Sequence, residues 1–126
     1  MRVPSVAVLC VFGLRLFSIA QTNDQFANRL ILSGGNASGI GNMQQASTEP
    51  GEPIHAGAAG SQTLWWSWIA PATGVVNFSA HAPEISPSGS ARALAVYTGT
   101  SLGTLSEVGS IAAAFNGPFN SSEFSP

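Results

Sequence analysis

The sequence predicts an all-β chain, an antiparallel β-sandwich of jelly-roll type that is incomplete at its C-terminal end. Three observations carry this. Short apolar runs recur at intervals of about 8–12 residues, the rhythm of a sheet protein. Gly, Pro, Asn and Ser clusters separate the runs, as turns require. No stretch after residue 20 sustains a helical period. Heavy use of Gly, Ser, Thr, Ala and Pro with scarce charge would also suit a disordered chain, but the regular apolar runs decide for a fold.

The first twenty residues read as a secretory signal peptide rather than as part of the module. Arg2 supplies a positive start, Val3 to Phe12 are almost wholly apolar, and Ser18-Ile19-Ala20 offers small residues before a cut at Gln21. The rival reading is an N-terminal membrane anchor, which Arg15 weakens, because a span needs about 20 predominantly apolar residues. The domain expectation is thus 1–20 leader and 21–126 accessory module. Removal of the leader takes Cys10, the sole cysteine, so the module is disulfide-free and suits a bacterial secreted or cell-surface protein. It leaves two arginines, Arg29 and Arg92, against six acids, a net charge of −4. With no lysine and no basic patch, nucleic acid and anionic membrane are excluded as expected partners.

From Gln21 onward the elements follow in order. "DQFANRLIL" reads as one helical turn feeding a strand, and the glycines at 34, 35, 39 and 41 as a turn followed by a weak or edge strand. "TLWWSWIAP" is the strongest strand: Leu64, Trp66 and Trp68 share one face and are expected in the core, while Trp65, Ser67 and Ile69 share the other. Pro71 ends it, and "PATG" predicts a hairpin into "VVNFSA". "HAPEISPSGS" is a loop, "ALAVYTG" a strand, and "TSLG" a turn into the strand "TLSEVGSIAAAF". The end, "NGPFNSSEFSP", reads as a loop whose Phe119 and Phe124 begin an element that does not follow, which marks the chain as a fragment.

Three patterns could carry chemistry. Glu49, Glu52 and His55 recur every three residues, but Pro50 and Pro53 argue against a helix there. In a loop the three are candidate ligands for calcium or zinc, and for a small metal-dependent hydrolase; the plainer alternative is a proline-stiffened loop whose acids accept backbone N–H groups. "GTSLG", residues 99–103, matches a nucleophile elbow, but both histidines, His55 and His81, precede Ser101, so it reads as a turn. Trp65, on the face opposite Trp66, is the candidate for a partly exposed sugar-stacking contact. Asn36, Asn77 and Asn120 open glycosylation-type triplets, which matter only in a eukaryotic source.

Taken in order, "NDQFANRLILSG", "TEPGEPIHAG", "LWWSWIAPATGVVNFS" and "LAVYTGTSLGTL" resemble a bacterial secreted module related to the pre-peptidase C-terminal domain, over Asn23 to about Leu105. The resemblance implies a non-catalytic β-sandwich accessory module for binding, attachment or spacing within an exported protein, with other domains, an extracellular polysaccharide or a protein surface as partners. Some relatives bind calcium through acids. Here Ser90-Ala91-Arg92 and "SIAAAFNGPFN" lack those acids, so the expectation is no cofactor, with calcium as the alternative.

Overall fold

The computed structural model describes residues 5–10, 21–43, 46–57, 62–80, 92–113 and 122–124. The chain is all-β: the regular structure of these residues consists of seven strands and short 3-10 turns, among them Phe26–Asn28 and Leu102–Thr104. The strands are β1 (Ser5–Cys10), β2 (Leu30–Leu32), β3 (Leu64–Trp68), β4 (Val76–Phe78), β5 (Arg92–Thr98), β6 (Ser106–Ala113) and β7 (Ser122–Phe124). Five form one sheet in the order β2-β3-β1-β5-β6, and β4 pairs with β7 in a second, two-stranded sheet. No helix among the described residues is long and apolar enough to cross a membrane.

Both faces of β3 are covered, because a separate apolar cluster packs against each. Leu64 and Trp66 join Met43, Ala46 and Ala93 in one apolar cluster. Trp65, on the other side of the pleat, joins Phe26, Ala95 and Tyr97, with Leu102 and Leu105 packed against them. Trp68, also buried, meets Phe78 of β4 edge to face at 5.7 Å. The core expectation for Leu64, Trp66 and Trp68 therefore holds.

Several expected elements are present: the 3-10 turn Phe26–Asn28 leads into β2, and residues 99–104 turn β5 into its antiparallel neighbour β6. Others differ. β3 and β4 do not form a hairpin; β4 pairs antiparallel with β7, so the predicted terminal loop contains a strand. The reason is partner availability: β3 is already flanked by β1 and β2. The β2–β3 pair is parallel, so the sheet is mixed, and residues 33–63 supply the long connection that a parallel pair requires. The glycine-rich stretch after β2 is irregular over residues 33–42 and forms no strand. The loop expected at "HAPEISPSGS" lies outside the described residues, as do most of the leader segment and "FNGPFNS".

Candidate functional site

The loop "TEPGEPIHAG" is fastened to the sheet by its own polar residues. Gly51, Ala56 and Gly57 take positive φ values of 93°, 48° and 79°, which fold the segment tightly enough to turn Glu52 and His55 inward. The Glu52 N–H donates to the Glu49 carbonyl at 3.2 Å, and the Glu49 N–H donates back to Glu52 Oε1 at 3.1 Å. Glu49 Oε1 accepts the Phe26 N–H at 3.3 Å, tying the loop to the first 3-10 turn.

Glu52 is the hub of a buried network. Its side chain is 2 % exposed, yet Oε2 accepts the Thr63 hydroxyl at 3.0 Å and Oε1 accepts the Trp65 indole N–H at 3.4 Å. His55 Nε2 stands 3.5 Å from Glu52 Oε2, and Nδ1 lies 2.9 Å from the Tyr97 hydroxyl. That hydroxyl also reaches Glu107 Oε2 at 3.5 Å. The phenol carries a single proton, so donating it to Glu107 leaves its oxygen as the acceptor for an Nδ1–H of His55. Burial, then the negative charge of Glu107 and its hydrogen bond, then Glu52, push the Tyr97 phenol well above its ordinary value.

A β-bulge brings Glu107 into this group. Val96 pairs with Gly109 and Tyr97 with Glu107, so Val108 is the extra residue. Without the bulge Tyr97 would face a different residue of β6. On the far side of Trp65, buried Asn23 donates its amide to the Trp65 carbonyl at 3.0 Å and accepts the Trp65 N–H on its own carbonyl at 2.9 Å. Asp24 accepts both the backbone N–H of Ser47, at 2.5 Å, and its hydroxyl, at 2.9 Å.

The residues singled out from the sequence are therefore placed as follows. Glu52 and His55 do converge, but on Thr63, Trp65 and Tyr97; Glu49 turns to the Phe26 backbone. Among the described residues, no group of three or more His, Cys, Asp or Glu side chains could hold a metal ion. Trp65 requires a correction: it is 0 % exposed, so its indole offers no face to a sugar. The pleat puts it opposite Trp66 as expected, but Phe26 and His55 meet its ring edge to face at 5.0 and 5.4 Å and close that side. The Ser101 hydroxyl lies 2.6 Å from that of Thr104, within its own turn. Asn36 and Asn77 are exposed, while Asn120 lies outside the described residues.

Sequence reasoning missed Asn23, Thr63, Tyr97 and Glu107. For Tyr97 a signal existed: a phenol in an alternating apolar strand needs a polar partner once buried. For Glu107 there was none, because its direction depends on the bulge. His55 and Tyr97 are 3 % and 1 % exposed, so they meet no solvent-borne substrate in this arrangement. No family model, no curated protein and no solved structure matches the chain.

Proposed function

We propose that the chain is a non-catalytic accessory module of an exported protein, a β-sandwich related to the pre-peptidase C-terminal domain, that serves attachment or spacing. One observation carries this reading above a hydrolase: Glu52 and His55, the side chains best suited to acid–base or metal chemistry, are buried and spent on Thr63, Trp65 and Tyr97. A catalytic carboxylate needs an open path to substrate, and this one has donors of its own protein around it. No observation favours sugar stacking at Trp65 once its ring is buried.

The test is export of the full chain fused at its C-terminus to a reporter enzyme, with the reporter on the leader alone as control. Retention of the fused reporter on the cell surface, against release of the control into the medium, supports an attachment module. Hydrolysis of an extracellular polymer by the folded chain, lost in Glu52→Gln while the circular dichroism spectrum is kept, would replace this reading with the hydrolase.

A further inference from the structure

The expected leader segment supplies the middle strand of the main sheet. β1 pairs antiparallel with β3 at five positions, Ser5 to Leu9, and with β5 at six, Ser5 to Cys10. Consequently β3 and β5 run parallel to each other with a gap of one strand between them. Both are seated in the interior: Leu64, Trp65 and Trp66 on one side of the gap and Ala95, Val96 and Tyr97 on the other are buried. If residues 1–20 are removed on export, two buried strand edges lose their ladder partners at once. Unpaired backbone N–H and C=O groups in an apolar seat are costly, so an empty gap is not a stable end state.

We propose that the gap between β3 and β5 is a strand-acceptor site, held in the precursor by Ser5–Cys10 and filled after leader removal by an extended segment of another exported polypeptide. The occupant's chemistry is read from the strand that sits there: six residues, "SVAVLC", without charge, without proline and rich in small and β-branched types. It runs antiparallel to both neighbours. Strand addition takes its affinity from main-chain hydrogen bonds and its selectivity from side-chain fit at alternate positions. The proposal rests on the reading of residues 1–20 as a removable leader, given above.

Three measurements test it separately. The mass of the exported chain reports whether processing removes residues 1–20; a chain that keeps Met1 overturns the leader reading and with it any vacancy. In the full chain, Ala93→Cys creates a partner opposite Cys10, since cross-strand Cα separations of about 4.5–5.5 Å fall within disulfide range. Oxidation should link the pair, and failure to link it overturns the placement of β1.

Finally, a specific protease site inserted after Ala20 allows the folded full chain to be cut in the presence of excess labelled peptide of sequence VPSVAVLCVF. The expected result is one peptide bound per body and a melting midpoint that rises with peptide concentration. The same peptide with proline in place of its alanine should not bind, because it lacks one ladder donor and cannot sit in a central strand. A body that stays monomeric with an unchanged midpoint and takes up no peptide overturns the proposal, as does aggregation that the peptide does not prevent. A body of doubled mass that excludes the peptide overturns it in favour of a second copy of this chain.

Discussion

At the scale of single residues, Glu52 and Tyr97 hold the most consequential positions. Glu52→Gln keeps the size of the side chain but removes the charge that Thr63, the Trp65 indole and the Glu49 N–H donate to. It also turns one acceptor oxygen into a donor facing donors. Hydrogen bonds to charged groups contribute about 1.5–3 kcal/mol each, so a loss of about 2–4 kcal/mol is expected, read as a lower urea midpoint with an unchanged slope. Tyr97 is the only tyrosine, so tyrosinate absorbance reports it alone. Its folded phenol is raised above the unfolded value of about 10. The stability linked to it is therefore fully present below about pH 10 and falls as pH rises beyond that, because the unfolded chain then loses a proton the folded chain keeps. Tyrosinate should appear only as the protein unfolds, and Tyr97→Phe should flatten the alkaline decline. A phenol titrating normally in the native state would refute this.

At the scale of elements, the glycine-rich stretch after β2 is a close cover for β3 and not an edge strand. A Cβ on Gly39 would stand 2.5 Å from Trp66 Nε1, and one on Gly41 2.5 Å from Leu64 Cδ1. Neither neighbour yields easily: Leu64 is fully buried and the Trp66 indole is rigid and packed. Gly41→Ala is expected to cost about 1–3 kcal/mol through overpacking and to change the tryptophan emission; a neutral effect would show that the stretch lies elsewhere. β3 itself carries an indole on each face, so Trp65→Ala, which empties the cluster around Phe26 and Tyr97, should cost about 3–5 kcal/mol in the same denaturation assay. Polysaccharide retention lost without any loss of stability would contradict the burial of Trp65.

At the scale of the whole molecule, the four acids whose side chains are described all accept hydrogen bonds from the chain itself. Asp24 accepts Ser47, Glu49 accepts the Phe26 N–H, Glu52 serves the loop network, and Glu107 accepts Ser110 and Tyr97. In a protein with few charges, carboxylates here stitch loops to sheet. Calcium needs six to eight oxygen ligands, and among the described residues no three or more acidic, histidine or cysteine side chains converge to supply a core of them. Addition of millimolar calcium or of EDTA should accordingly leave the thermal midpoint of the full chain unchanged; a midpoint raised by calcium would return Glu49, Glu52 and His55 to the metal reading.

How far the sequence alone reached follows from the range of the forces involved. Alternation along "TLWWSWIAP" and "ALAVYTG", the helical turn before β2 and the hairpin at "TSLG" are local, set by pleat and turn chemistry, and were legible from residue order. So was the all-β class. The long-range arrangement was not. Pairing of β4 with β7, the parallel β2–β3 contact and the seat of β1 between β3 and β5 depend on which edges remain free once other strands have paired. The bulge at Val108 reverses the parity on which strand reading relies, and so hid Glu107. The sequence by itself determined that Glu52 and His55 lie in a stiff loop and that Trp65 faces away from Trp66. Only the tertiary structure decided that all three are buried together, because burial depends on what covers a face, and the covering residues, Phe26 and Tyr97, lie 39 and 32 positions from Trp65 along the chain.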